Sequence, residues 1–201
     1  MSTVRSRREQ YSQATKTALL EAATRRFAEH GFAGTSLEDV AADIQATRGA
    51  VYHHFAGKKA LFEAVFEQLE AAAIDECVDV VEAATDPWQA AFDALDTFLG
   101  HCCDPVYGKI VWHEAPLALG WLRWREWEEQ FAYGLIHELI GALMDHGGLE
   151  RRPLETVSRI AFSMLSAAGL ALSEAAEADK PRLREEYGTT IRRIMTGLRV
   201  S

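Results

Sequence analysis

The residues that could do chemistry here are few, and the first group is His101-Cys102-Cys103-Asp104. Three soft ligands in a row could serve a metal or redox sensor. Adjacent helical residues point about 100° apart, however, so they cannot close on one ion without unwinding. Cys102 also falls on an apolar stripe that begins at Trp88, which favours a buried free thiol. His113-Glu114 and His137-Glu138 lack the second histidine of a zinc-binding His-Glu-x-x-His helix. No glycine-rich phosphate loop and no Gly-x-Ser-x-Gly elbow occurs. No catalytic set, metal site or cofactor is expected, and the enzyme class is disfavoured.

A second pattern is more productive. Thr47, Arg48, Gly49, Ala50, Tyr52 and His53 put polar donors and small side chains on one short helical segment, where a core helix of that length would be more aliphatic. The major groove of DNA is about 12 Å wide, admits one α-helix, and is read by such donors. Lys58 and Lys59 follow at the start of the next helix, where free N–H groups and the helix dipole also attract phosphate.

The elements that must hold this segment are legible from caps and periodicity. A first helix spans Gln10 to His30, with Leu20, Ala23 and Phe27 on one face and Gly31 ending it. Ser36-Leu37-Glu38-Asp39 reads as a capping box, followed by Leu37, Val40, Ala41 and Ile44 at i, i+3, i+4, i+7. Only Gln45 and Ala46 separate this second helix from the next N-cap, Thr47, so the third helix, Arg48 to His54, must turn sharply. After Ala56-Gly57 a long fourth helix runs to about Val81, with Leu61, Phe62, Val65, Phe66 and Leu69 as its stripe. Two short helices joined by a tight turn and backed by a third are a helix-turn-helix.

Charge divides the chain at the same place. Residues 1–60 hold nine Lys/Arg and six Asp/Glu, net +3; residues 61–201 hold 12 and 24, net −12. A basic head on an acidic body suits a DNA-binding module attached to a domain with another task. The expected domains are 1–60 and 61–201. Residues 1–10 carry three arginines and no apolar run, unlike a secretory signal, and three cysteines do not make a disulfide framework, so a cytoplasmic protein is expected. The longest uncharged stretch, 160–173, is short for a bilayer span and reads as a core helix.

The body is helical too. Asp86-Pro87 caps a helix whose stripe is Trp88, Ala91, Phe92, Leu95, Phe98, Leu99 and Cys102. Asp104-Pro105 opens a short helix. Pro116 is expected to interrupt the chain before a long aromatic-rich helix ending at Gly147-Gly148. Pro153 and Asp179-Lys180-Pro181 start the last two, giving an all-α fold of about nine helices.

At this point a family resemblance is visible. Phe27, the Gly31-Phe32 corner, the run Thr35 to Ala41, and Val51-Tyr52-His53-His54-Phe55-Ala56-Gly57-Lys58-Lys59-Ala60-Leu61 resemble the N-terminal signature of the tetracycline-repressor (TetR) family. The resemblance covers about a quarter of the chain; one departure is Gln45, where the family usually has glycine. It implies that Thr47, Arg48, Gly49, Ala50 and His53 face base edges. Tyr52 and Lys58 would hold phosphates, with Ser36 or Thr35 touching the DNA backbone.

It further implies a homodimer on a palindromic operator and a small-molecule effector in the body. The aromatic cluster suggests a hydrophobic or aromatic effector among Trp88, Phe92, Phe98, Trp112, Trp121, Trp124, Trp127 and Phe131, with His113, Arg123 and Glu114 as polar anchors. Small residues including Ser166 and Gly169, with Leu183, Tyr187, Ile191, Ile194 and Leu198 on the last helix, suit a four-helix dimer interface. The expected function is a repressor released by effector. The alternatives are a metal- or redox-responsive regulator using His101, Cys102 and Cys103, or a DNA-binding protein that is effector-independent or activating.

Overall fold

The computed structural model describes residues 7–199, and every regular element among them is helical. Residues 1–6, part of the segment that reads unlike a secretory signal, lie outside the described residues. Nine helices follow in order: α1 (Arg7–Gly34), α2 (Leu37–Asp43), α3 (Arg48–His54), α4 (Lys58–Ala83), α5 (Pro87–Cys103), α6 (105–119), α7 (121–145), α8 (Leu154–Glu174) and α9 (Lys180–Thr196).

Two compact units part between Gln68 and Leu69. The expected boundary at 60/61 falls two turns earlier, inside α4. The shift has a packing reason: the first turns of α4 complete the head core, where Phe62 lies edge-on to Phe27 (5.0 Å) and Phe32 (5.3 Å). Phe27, Phe62, Leu61, Val40 and Val51 are fully buried in this small core. Gly31, at φ 70, bends the end of α1 where the sequence placed its end.

In the second unit α5 packs against α7, α8 and α9, while α6 packs along α8. Asp86 caps α5 by accepting the N–H groups of Trp88 and Gln89, with Pro87 at the first helical position. Asp104 repeats the device for α6, accepting from Val106 and Tyr107. The expected interruption at Pro116 does not occur. Residues Gly108–Glu114 form a π-helical turn, and Pro116 falls in the first turn after it. That wider turn accommodates a ring that would crowd the preceding carbonyls of a regular α-helix. The break comes instead at Gly120 (φ 90), a backbone region that favours glycine. Helix α7 then runs to Asp145, with a second π-helical turn at Glu129–Tyr133. Helix α8 is long and apolar enough by composition to cross a membrane; here Ala161, Phe162, Ala168 and Leu172 are buried in the bundle.

Candidate functional site

The first candidate site is one face of α3. Val51 is wholly buried and Phe55 nearly so, which anchors the helix on the head core. Thr47, Arg48, Gly49, Tyr52 and His53 are all exposed together, and Ala50 is half-buried beside them. Thr47 caps the helix by accepting the N–H of Ala50 at 3.2 Å. Arg48 leans across Tyr52, donating to its hydroxyl at 3.3 Å with its guanidinium 5.3 Å from the ring centre, and pairs with Glu38 at 3.1 Å. The guanidinium is thus held at the surface by partners that water or a nucleic acid can replace.

The turn that aims α3 is built from α2. Ser36 accepts the N–H of Asp39 (3.1 Å), while the Asp39 carboxylate accepts from the Ser36 N–H and hydroxyl, completing the capping box. Those bonds hold the Asp39 carboxyl below the usual carboxylate range. Gln45 adopts φ 54, the only positive φ among the described non-glycine residues, at the position where the resemblance called for glycine. Arg26 grips Asp43 through two bonds of 2.8 and 2.6 Å, stapling α1 to α2.

Two expected phosphate contacts acquire other work. Thr35 is only 3% exposed and its hydroxyl donates to main-chain oxygens of Arg26 and Gly31, so of the pair Thr35 and Ser36 only the latter stays accessible. The Lys58 ammonium donates to the Phe32 and Thr35 carbonyls at 2.8 and 2.9 Å and sits over the Phe32 ring. Of its three N–H donors, one is left for a phosphate.

The second candidate site lies within the body. A cleft of about 550 Å³, counting its solvent-filled mouth, is lined by Trp88, Phe92, Leu95, Leu143, Ile191 and Met195, among others. A second, of about 500 Å³, is lined by Phe98, Trp112, Glu128, Phe162 and Ser166, and the two share Ile136, Leu139 and Leu165.

Four of the expected ligand residues are therefore brought together: Trp88, Phe92, Phe98 and Trp112. The others separate. Trp124 (2% exposed) and Trp127 (5%) are packed in the core, Trp121 is largely exposed against Trp124, and Phe131 is half-buried outside the two clefts. The expected polar anchors point elsewhere. Exposed Arg123 covers the Trp127 ring and pairs with Glu126, and exposed His113 joins Lys109 around Glu114.

The polar group that does line the cleft is Glu128, which the sequence reading missed. Its Oε1 is buried without a hydrogen-bond partner, as are the indole N–H groups of Trp112 and Trp124. Behind it, buried Glu70 of α4 accepts the Tyr107 hydroxyl at 2.7 Å. Burial pushes both carboxyls up from the usual range, and the neighbouring Glu70 further disfavours ionisation of Glu128. The signal was present: Glu128 falls on the stripe Trp124, Trp127, Glu128, Phe131, and Glu70 lies four residues after Phe66 on the stripe of α4.

The His101 cluster comes apart as its helical spacing requires. His101 faces Glu76 at 3.1 Å, Cys102 is fully buried with burial raising its thiol pKa, and Cys103 is half-buried. Among the described residues no group of three or more His, Cys, Asp or Glu side chains could hold a metal ion.

The proposed dimer residues also divide. Gly169 faces inward, where a Cβ would stand 2.7 Å from Cε2 of Trp112; Ser166 lines the second cleft and Ile191 the first. Ile194 is exposed, Leu183, Tyr187 and Leu198 are half-buried, and α8 additionally exposes Ile160 and Leu170.

A helix-turn-helix whose third helix shows a polar outer face, followed by a helical body with an internal cleft, defines a DNA-binding transcriptional regulator. Residues 19–65 match the family of bacterial regulatory proteins described as the tetR family, and residues 88–198 match the tetracyclin repressor-like C-terminal domain, more than half the chain. The chain belongs to the TetR family of bacterial regulatory proteins. The TetC protein of transposon Tn10 from Escherichia coli is 24% identical over 69% of this chain and 70% of its own length. The probable acrEF/envCD operon repressor of Escherichia coli strain K12 is 31% identical over 63% of this chain and 56% of its own length. A TetR-family transcriptional regulator from Pectobacterium atrosepticum superposes over 98% of this chain and 99% of its own with a TM-score of 0.83, at 26% identity.

Proposed function

We propose that this protein is a cytoplasmic homodimeric repressor that binds a palindromic operator through α3 and is released by a small hydrophobic effector held in the α5–α9 bundle. The observation that carries the DNA half is the division of α3: Val51 is buried to the last atom while Thr47, Arg48, Gly49, Tyr52 and His53 stand exposed on the other side. Arg48 then reads guanine through its fork, Tyr52 and the remaining N–H of Lys58 hold phosphates, and Ser36 touches the backbone from α2. Thr35 drops out of this set because its hydroxyl is spent internally.

Two recognition helices fit successive major grooves only at a spacing of about 34–36 Å, so dimerisation and release are two aspects of one geometry. The proposed dimer face combines the exposed side of α8, with Ile160, Ser163, Ala167 and Leu170, and Leu183, Tyr187, Ile194 and Leu198 around α9. Effector binding displaces α4, which runs from one unit into the other, and alters the spacing of the heads. A coupling of ~1–3 kcal/mol is typical and sufficient for regulation.

Fluorescence anisotropy against DNA from upstream of its own gene, with a scrambled duplex as control, tests the reading. Selective, salt-sensitive binding that Arg48→Ala weakens supports it. Equal weak binding to both duplexes, together with no enriched fragment in a genome-wide selection, would overturn it.

A further inference from the structure

The internal cleft is apolar along most of its length and ends at one side chain of the opposite character. Trp88, Phe92, Leu143, Ile191 and Met195 line one end, and Ile136, Leu139 and Leu165 continue the wall into the second compartment. There Phe98, Trp112 and Phe162 line the wall together with Glu128. Trp112 is edge-on to Phe98 at 6.2 Å between centres, so these rings form a packed wall. A fully buried carboxyl with an unpartnered oxygen is expensive in a folded protein and calls for a partner.

We propose that the cleft takes an apolar cation, a hydrocarbon or aromatic body bearing one protonated amine or quaternary ammonium that lies against Glu128 among the rings of Phe98, Trp112 and Phe162. This rests on the effector-cleft reading above and names the ligand class for it. Aromatic faces attract a desolvated cation, and a carboxylate supplies the opposite charge. A carboxylate ligand would find at most the single O–H of a protonated Glu128 and no positive charge on the cleft wall.

The charges around Glu128 favour a change of state on binding. Glu70 projects from α4, Tyr107 from α6 and Cys102 from α5; Arg125 lies on its own helix, with its guanidinium over the Phe162 ring. The α8 residues at the cleft, Phe162, Leu165 and Ser166, carry no titratable group. Glu70 has the Tyr107 hydroxyl to stabilise a negative charge, whereas the Glu128 Oε1 meets no donor. Glu128 therefore rests protonated. An arriving ammonium adds to the distant Arg125 a counter-charge at the carboxyl itself, Glu128 ionises, and its proton passes to solvent. One proton is released for each cation bound.

Isothermal titration calorimetry with 1-naphthylmethylammonium and its neutral counterpart 1-naphthalenemethanol tests this, in two buffers of different ionisation enthalpy. The expected result is about tenfold or stronger preference for the ammonium, with proton release that approaches one per site, and loss of that preference in Glu128→Gln. Equal binding of the two probes with no proton release would overturn the cation proposal and leave the effector cleft standing. If neither probe binds, the cleft reading fails and the proposal with it. Proton release is read on the wild-type protein, so the test does not depend on how well the variant folds.

Discussion

The head and the body treat their polar side chains in opposite ways. In the head, Arg26 is matched to Asp43, Ser36 to Asp39, Thr35 to main-chain carbonyls and Lys58 to two more. In the body, Glu128, Trp112 and Trp124 keep buried polar atoms without partners. Mutual satisfaction commits the head to one shape, which reading a base sequence demands. Of these, Glu128 and Trp112 line the cleft on which the proposed effector reading rests. The head is closed on its own partners, and the body is left incomplete.

The largest expected effect tests the head's commitment. Phe62→Ala removes the ring that meets both Phe27 and Phe32, and is expected to cost about 3–5 kcal/mol. Urea denaturation followed by circular dichroism, alongside anisotropy with operator DNA, would show the head melting first and binding lost. Next in size, Gly169→Ala drives a methyl group into the Trp112 ring and should destabilise the body by roughly 1–3 kcal/mol. If its unfolding midpoint is unchanged, the α6–α8 contact is looser than drawn. A similar ~1–3 kcal/mol is expected for Arg48→Ala in discrimination between operator and scrambled DNA, at unchanged melting temperature.

The body's incompleteness also has a pH signature. Burial keeps Glu70 and Glu128 protonated above the usual carboxyl range, so the folded chain binds more protons than the unfolded one. Stability is then fullest at low pH, below the unfolded carboxyl range, as far as these two groups decide it, and declines as pH rises through their folded values. Thermal melts of Glu128→Gln against wild type at about pH 5 and pH 8 should show a shallower decline, by roughly 2–4 °C for each kcal/mol of linkage removed. An identical decline would mean that Glu128 is not the buried acid described. The smallest effect sharpens the head. Gln45→Gly relieves a left-handed residue but frees the unfolded chain, for a net gain below about 1 kcal/mol in a denaturant titration.

The same contrast explains what the sequence made legible. Caps, turn and recognition helix depend on neighbours three or four residues away, so Ser36, Gln45, Thr47 and the exposed face of α3 could all be read in one dimension. The cleft depends on helices far apart in sequence. Aromatic content singles out Trp88, Phe92, Phe98 and Trp112, which line it, but cannot sort them from Trp121, Trp124, Trp127 and Phe131, because composition does not reveal which way a helix is turned. The two π-helical turns made this harder, since each adds a residue to the helical period. Gly169 and Ile191 were given to the dimer face for the same reason: small or apolar type fits an outer seam and an inner wall alike.

Those π-helical turns, at Gly108–Glu114 and Glu129–Tyr133, contain Trp112 and follow directly on Glu128 respectively. A π turn is what an α-helix becomes when it absorbs one additional residue without disturbing its flanks. Relatives that keep the nine helices but bind differently would then carry a one-residue gap at one of these two places when aligned with this chain. Deleting a single residue from 129–133 would return α7 to regular α-helix with its flanks still in register, re-aiming only the side chains of the turn that follows Glu128. Helical register, as much as side-chain identity, is a variable by which such a body can acquire a different ligand.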